Sequence, residues 1–225
     1  MKISVLLATT VVAFASMASA APLCTDVGPT MDYYLALTGG CQIGDKLFSD
    51  FSYQGTAENP SAAVPPTAVF VTPDNTDPYN PGIIFSSASW LTSSTGVDSS
   101  IGFTVTVLPG GNFIEDAGMT LLSSGATGLG SGSITETILN LGAQLTVDTG
   151  TGGVGGQRAA HVSFAPSQSV SVLKDVLVTV QRGQGSAQIS SFEENFSEIP
   201  EPVGSALIGS GLLALGVWRR RASRG

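Results

Sequence analysis

Few side chains of this sequence could do chemistry, and His161 is the one that most hydrolytic mechanisms would need. It is the only histidine of the 225-residue chain. A Ser-His-Asp relay would have to use it, but the sequence has no G-x-S-x-G nucleophile elbow, and His161–Ala165 has strand alternation. A glycosidase needs two carboxylates that face each other, and the sequence alone brings no two acids together. We therefore expect a protein that is not an enzyme.

A glycine-rich run has the spacing of a nucleotide-binding fingerprint. Gly150, Gly152 and Gly155 fit G-x-G-x-x-G, and the predicted strand Leu145–Thr149 precedes them. The fingerprint requires a helix to follow, because the pyrophosphate lies on the helix N-terminus. Residues 157–164 end in strand alternation instead. We therefore predict neither nucleotide binding nor any other cofactor.

Several oxygen-bearing side chains lie close together in the segment 73–82, where they could hold calcium. They are Asp74, Asn75, Asp77 and Asn80. Their spacing is not that of an EF-hand, and the prolines around them are typical of a solvated turn. We predict a turn and no metal site. We expect Glu115 and Asp116 to be exposed loop charges, since adjacent side chains of an extended chain point apart.

The first segment of the chain has the organisation of a signal peptide. Lys2 supplies a positive charge, and Ile3–Met17 is a stretch of apolar and small residues. Ala18-Ser19-Ala20 fits an A-x-A cleavage site, which places the cut between Ala20 and Ala21. We therefore interpret residues 1–20 as a signal peptide for export.

Residues 200–225 combine three features in a fixed order. Pro200-Glu201-Pro202 comes first, the uncharged apolar run Val203–Trp218 follows, and Arg219, Arg220 and Arg221 come after it. A helix over the apolar run would be roughly 24 Å long, which is somewhat shorter than the roughly 30 Å hydrocarbon core of a bilayer. Terminal arginines can make up the difference by snorkelling, and they place the C-terminus in the cytoplasm. We predict a single transmembrane helix at residues 203–218.

This tail resembles the PEP-CTERM sorting signal of Gram-negative bacteria, which joins a Pro-Glu-Pro motif, a short transmembrane helix and terminal arginines on chains with a signal peptide. The resemblance covers Pro200–Gly225. It implies processing by an exosortase, a membrane cysteine protease-transpeptidase, in organisms that make exopolysaccharide. It also implies a protein that is anchored in the inner membrane before processing and lies afterwards at the cell surface or outside the cell.

The exported region, residues 21–199, is acidic. Its basic residues are Lys46, Arg158, Lys174 and Arg182, and the formal net charge of the whole chain is -8. A nucleic-acid partner is excluded, because binding to a phosphate backbone needs a basic stripe. Low charged content with abundant Gly, Ser, Thr and Val is typical of a secreted β-protein. The length fits one domain with a sizeable core.

Cys24 and Cys41 are the only cysteines of the chain. Because an exported protein enters an oxidising compartment, we predict that they form a disulfide. A catalytic or metal-bound thiol would need histidine or further cysteine partners, and the chain has one histidine.

A short helix is predicted between the two cysteines. Its apolar positions are Met31, Tyr34 and Leu35. Thr30 is placed as the N-cap and Gly39-Gly40 as the stop. The helix would pack its apolar face on a sheet.

From Thr67 onward the sequence has the period of strands. Ile101, Phe103, Val105 and Val107 alternate with small or polar residues, as in a half-buried antiparallel strand. Further strands are predicted at 68–72, 83–91, 119–123, 133–139, 143–149, 161–165, 176–180 and 187–192. We interpret the glycine-rich runs 125–132 and 150–156 as loops. The pattern predicts a mainly β fold, an antiparallel β-sandwich, and a jelly roll would give the same pattern.

Two functions from different classes remain open. The resemblance of the tail implies a non-catalytic surface or matrix component associated with exopolysaccharide, and we take this as the leading interpretation. The alternative is a ligand-binding β-sandwich module. Trp90, Tyr79 and Tyr53 could stack on sugar rings, although a core position is favoured for Trp90. Ice is the other ligand considered, since the same kind of tail is also labelled an ice-binding protein C-terminal domain, but T-x-T pairs such as Thr104/Thr106 have no fixed period.

Overall fold

A pair of very long strands dominates residues 21–198, the part of the chain that the computed structural model describes. Strand β7 runs from Ile114 to Ile138, and strand β10 runs from Ser169 to Glu198. They pair antiparallel over almost their whole length, from Val172 opposite Ile138 to Glu198 opposite Ile114. We call this pairing the β7–β10 ladder, and the other strands add to its two edges.

The remaining elements are shorter. The strands are β1 (Cys41–Ile43), β2 (Lys46–Ala57), β3 (Phe70–Asp74), β4 (Gly82–Ser86), β5 (Leu91–Thr92), β6 (Gly96–Val107), β8 (Ala143–Asp148) and β9 (Ala159–Ser167). The helix α1 is Met31–Leu35, and 3-10 turns lie at Cys24–Asp26, Pro66–Ala68 and Thr151–Gly153. The domain is therefore mainly β with one short helix near its N-terminus, as the sequence predicts.

The sheet forms two layers because the β7–β10 ladder passes from one layer into the other. The first layer has the order β1–β2–β6–β10–β7–β8 and uses residues 169–180 of β10. The second layer has the order β3–β4–β10–β7–β9 and uses residues 185–198 of β10. The short β5 pairs with Ala187 and Gln188.

The predicted loop at residues 125–132 is wrong, because this run lies inside β7. The register of the ladder shifts between Val180 and Gly185, where the strands leave the first layer. Gly128 and Gly185 have φ angles of 60° and 129° at this point, which side chains with a Cβ rarely adopt. The glycines allow both strands to bend while their backbone pairing continues on either side.

Aromatic side chains from both layers meet in the core. The ring centroid of Phe103 in β6 lies 6.0 Å from that of Phe85 in β4 and 6.1 Å from that of Phe196 in β10. Trp90 is fully buried, and its Nε1 donates a hydrogen bond to Ser99 Oγ at 3.0 Å. These contacts across the layers confirm the predicted sandwich and the core position of Trp90.

The N-terminal segment is tied to the edge of the first layer. Cys24 and Cys41 form a disulfide, as the sequence predicts. Met31 and Tyr34 of α1 are buried, and Tyr34 Oη donates to Cys24 O at 3.2 Å. The helix therefore packs two of its three predicted apolar residues on the sheet, whereas Leu35 is exposed.

The predicted ends of α1 are only partly correct. Thr30 occupies the N-cap position, but its hydroxyl donates to the Asp32 carboxylate at 2.6 Å and makes no capping bond to the backbone. The helix ends at Leu35 with Ala36 as C-cap, before Gly39 and Gly40.

Most strand predictions are confirmed, and the differences have two causes. The predicted strands 119–123 and 133–139 are both parts of β7, and 176–180 and 187–192 are both parts of β10, since each long strand crosses two layers. The prediction of Glu115 and Asp116 as loop charges is wrong for the same reason, because they lie in β7. The predicted strand 83–91 is interrupted where Ser87 Oγ accepts a hydrogen bond from Ser89 N and turns the chain.

The signal peptide predicted at residues 1–20 and the tail predicted at residues 200–225 lie outside the described residues. Between residues 21 and 198 the structure contains no helix that is long and apolar enough to span a membrane.

Replacing Phe103 by Ala is expected to lower the free energy of unfolding by about 3–5 kcal/mol, because it leaves a cavity between the two layers. Urea denaturation at equilibrium measures this change. Leu122→Ala in β7 is the control, since Leu122 is 47% exposed and a surface truncation should change stability by only about 0.5 kcal/mol. Equal destabilisation by the two substitutions would contradict the described core.

Candidate functional site

The outer face of the second layer carries a polar groove of about 630 Å³. Its floor consists of β9, β7 and β10, and the loop between β3 and β4 contributes Thr76, Asp77 and Asn80 to its lining. We call it the β9–β7–β10 groove.

Strand register arranges the floor of this groove in three rows. The rows are Asp116–Ser197, His161–Gly118–Asn195 and Ala159–Thr120–Glu193. The intervening residues of β7, Ala117 and Met119, are buried in the core. Because alternate side chains of a strand face opposite sides, the residues of the three rows face the solvent.

The middle row has a glycine at its centre, and this keeps the groove open. A Cβ placed on Gly118 would have Ala160 O at 3.9 Å and His161 Cβ at 4.0 Å as its nearest neighbours. Both distances are ordinary van der Waals contacts. The space above Gly118 is therefore free, and His161 and Asn195 lie on either side of it.

Hydrogen bonds hold the loop of the groove in place. Asn195 Nδ2 donates to Asn80 O at 3.2 Å and to Glu193 Oε1 at 3.3 Å. Asp77 Oδ1 accepts a bond from Tyr79 N at 3.0 Å. The loop is thus fixed both to β10 and to itself, so the groove exists before any ligand binds.

The turn predicted at residues 73–82 is confirmed for residues 75–81, whereas Pro73 and Asp74 end β3 and Gly82 begins β4. Asp74 Oδ1 accepts a bond from Thr76 N at 2.9 Å, in the same way as Asp77 does from Tyr79. Over the described range 21–198, no group of three or more His, Cys, Asp or Glu side chains is placed to hold a metal ion.

Glu193, which lines the groove, and its neighbour Asp74 have pKa values shifted in opposite directions. Burial raises the pKa of Glu193, and the neighbouring Asp74 raises it further. Burial also acts to raise the pKa of Asp74, but hydrogen bonds from Glu193 and Thr76 outweigh it and hold this pKa below its usual value. As the pH rises, Asp74 therefore loses its proton before Glu193 does.

The groove is acidic. Asp77, Asp116 and Glu193 line it, Asp74 lies against it, and His161 is the one basic side chain among the lining residues. Opposite charges attract and like charges repel more strongly near a protein surface than in bulk water. The groove is therefore suited to a neutral or positively charged ligand.

Some of the groove residues stand out in the sequence, but the sequence does not show that they line one groove. His161 lies in a strand as expected, and it contributes to the groove together with Asp77, Asn80 and Asp116. The fingerprint-like Gly150-x-Gly152 run is followed by the strand β9, as predicted, so no helix N-terminus is available for a pyrophosphate.

The aromatic platform considered for Trp90, Tyr79 and Tyr53 is not formed. Trp90 is buried, and the Tyr53 hydroxyl donates to Val64 O at 2.8 Å in a half-buried position. Tyr79 is exposed and lies on the loop of the groove.

Comparison with known proteins finds structural similarity but no sequence match. No protein-family model and no curated protein matches the sequence. The fold is similar to that of TmCBM61 in complex with β-1,4-galactotriose, with 12% identity over 65% of this chain and 88% of that one and a TM-score of 0.33. It is also similar to carbohydrate-binding modules from the β-sandwich superfamily, with 10% identity over 80% of this chain and 62% of that one and a TM-score of 0.24.

A third similar structure is the enzymatically active domain of bacteriophage CBA120 tailspike protein 4. It shares 12% identity over 64% of this chain and 19% of its own, with a TM-score of 0.27. Identities and TM-scores as low as these carry no information about the function of this chain.

Replacing Asp74 by Asn is expected to lower the pKa of Glu193 toward its ordinary value, because Glu193 loses the neighbouring carboxyl group that raises its pKa. Part of the elevation should remain, since burial contributes most to it. A carbon NMR titration of the glutamate carboxyl groups measures the change. Asp77→Asn is the matched control, because Asp77 is bonded to loop backbone instead. An unchanged Glu193 pKa in Asp74→Asn would contradict the contribution of Asp74.

Proposed function

We propose that residues 21–198 form a non-catalytic carbohydrate-binding domain of an exported protein, and that the β9–β7–β10 groove binds the sugar. The observation that carries this proposal is the groove itself, in which amide, hydroxyl and carboxyl groups surround an open floor at Gly118. Sugar hydroxyls both donate and accept hydrogen bonds, and such a lining offers both kinds of partner. A volume of about 630 Å³ also lies in the usual range of ligand sites.

The charge of the groove restricts the class of glycan. Three lining residues are acids, and Asp74, whose pKa is held below its usual value, lies beside one of them, Glu193. A polymer of uronic acids would be repelled, whereas neutral sugars or amino sugars would not. The preferred partner is therefore a neutral or amine-bearing exopolysaccharide.

The engagement of the acids argues for recognition rather than hydrolysis. A glycosidase needs two carboxyl groups free to act on opposite sides of one glycosidic bond. Here the Glu193 carboxyl accepts a hydrogen bond from Asn195 Nδ2 and lies beside Asp74, and the Asp77 carboxyl accepts a hydrogen bond from Tyr79 N. These bonds fix the groups as parts of a rigid binding surface.

The terminal sequences support delivery of this domain to the exopolysaccharide. A signal peptide at residues 1–20 would export the chain, and the tail at residues 200–225 would present it to an exosortase at the inner membrane. The tail then serves for sorting, and the β-domain serves for retention in the glycan matrix. This combination unites the surface-component and ligand-binding interpretations of the sequence.

Gly118→Leu is expected to weaken glycan binding at least about tenfold, which corresponds to about 1.4 kcal/mol, because the new side chain fills the floor of the groove. The fold should tolerate it, since the nearest atom to a Cβ there is 3.9 Å away. Titration calorimetry against a neutral glucan, chitosan oligosaccharides and polygalacturonate measures the affinities.

Gly125→Leu is the matched control for this experiment. It lies in the same strand, outside the groove, and a Cβ there meets nothing within 4 Å. We expect the wild type and Gly125→Leu to bind the neutral or amino-sugar polymer and not the polyuronate. Equal loss in both variants, or binding of polygalacturonate alone, would refute the groove as the site.

Replacing Pro200, Glu201 and Pro202 by Ala is expected to abolish C-terminal processing, because it removes the sorting motif and keeps the apolar run and the arginines. Mass measurement and terminal sequencing of protein from the native envelope and medium provide the readout. The wild type should begin at Ala21 and end near the motif. A wild-type chain that still ends at Gly225 would refute exosortase processing and leave the groove proposal intact.

A further inference from the structure

The aromatic core contains a fully buried group of charged residues, which we call the Lys174 triad: Lys174 and Glu194 of β10 and Glu136 of β7. Lys174 Nζ donates hydrogen bonds to Glu136 Oε2 and to Glu194 Oε2, the second at 2.6 Å. Lys174 and Glu136 lie directly opposite each other on the β7–β10 ladder in the first layer, whereas Glu194 belongs to the second layer.

The triad is poorly satisfied as a set of ions. Glu136 Oε1 and Glu194 Oε1 are buried and have no hydrogen-bond partner. The amino group of Lys174 lies over the Phe103 ring, whose centroid is 5.6 Å from Nζ. One ammonium with two carboxylates would leave an uncompensated negative charge in an apolar core, which is a costly arrangement. Neutral groups would suit this environment better.

Burial favours the neutral forms of both Lys174 and Glu194. It lowers the pKa of Lys174 and raises the pKa of Glu194 to about 7, although the ion pair between the two opposes both shifts. A neutral amine is a nucleophile, and a protonated carboxyl group is a general acid. The triad therefore holds the reactants and the proton donor of an amide-forming reaction in contact.

We propose that Lys174 and Glu136 condense to an isopeptide bond, with Glu194 as the proton carrier. The lone pair of Lys174 Nζ attacks Cδ of the Glu136 carboxylic acid, and the new C–N bond gives a tetrahedral intermediate. Glu194 gives its proton to the hydroxyl group, which leaves as water when the C–O bond breaks, and takes up the proton that the nitrogen loses. The products are one amide and one water, Glu194 is again protonated, and no other reactant is consumed.

Strand register supplies the main driving force for this reaction. It holds the amine against the carboxyl group, so the condensation is intramolecular and benefits from a high effective concentration. The closed core also excludes the water that would hydrolyse the product. The amide removes the buried charges of Lys174 and Glu136, and its N–H group can donate to Glu194.

A second buried lysine provides an internal comparison. Lys46 Nζ donates to Glu198 Oε1 and, at 2.6 Å, to Asp45 Oδ1. Here the side chain of Asp45 is 30% exposed, and the second oxygens of both acids accept bonds from Asn112 at 2.9 and 3.0 Å. Every carboxyl oxygen of Asp45 and Glu198 has a hydrogen-bond partner, so we expect Lys46 to keep its free amine.

A tryptic map of the denatured, reduced full chain tests the proposal, because trypsin cleaves after a free lysine and not after an acylated one. We expect cleavage after Lys46 and none after Lys174. The peptide 159–182 should be joined to the peptide 47–158, with a mass lower than their sum by one water. Fragmentation then locates the bond at Lys174 and Glu136.

Cleavage after Lys174 with unlinked peptides would overturn the proposal, and this wild-type result does not depend on the folding of any variant. A link from Lys174 to Glu194 would overturn the assignment of Glu136 as the acceptor. Two isosteric variants test the roles of the acids. Glu194→Gln should restore cleavage after Lys174, because it removes the proton carrier. Glu136→Gln should still give the linked product with the wild-type linked mass, since it releases ammonia instead of water.

Discussion

The β7–β10 ladder is the constraint on which the rest of the domain depends. One antiparallel register belongs to both layers, so it fixes the floor of the groove in the second layer and the pairing of Lys174 with Glu136 in the first. A slip by one residue would turn Gly118 inward and Ala117 outward, because the side-chain period of a strand is two. The same slip would move the side chain of Lys174 or its partner Glu136 out of the core. Binding surface and core are therefore specified by a single pairing.

Much of the fold could be predicted because strand alternation reports directly on burial. Residues 101–107 and 176–180 gave correct strands, since their apolar side chains alternate across a half-buried sheet. The same signal failed at 125–132, where glycines supply no side chain that could carry the period. Backbone pairing with β10 holds this run in the strand, and a pairing partner that lies 46 to 63 residues away in sequence leaves no local trace. A glycine-rich run therefore indicates a loop from the sequence, whereas here its glycines permit a bend within a continuous strand.

The site was less predictable than the fold, because its residues come from separate elements. His161 and Asp116 stand out in the sequence as separate residues, and only the pairing of β9 with β7 brings them to one face. Gly118 keeps the groove open because it has no side chain, and no sequence motif indicates such a role. Lys174 did leave a signal, since it follows Val172 and precedes Val176 on the buried face of β10. A lysine at a position where the period requires an apolar residue indicates a buried charge with partners.

The position of β10 in the chain gives the proposed isopeptide bond a mechanical consequence. β10 ends at Glu198 and leads in sequence to the proposed sorting tail, so any pull between a glycan in the groove and the tail acts first on the end of this strand. Separation of β10 from its neighbours would begin at Glu198 and would remove Asn195 from the groove early. An amide between Lys174 and Glu136 lies beyond the bend, in the first layer. It would confine such separation to the second layer, so that the strand could pair again once the pull ended.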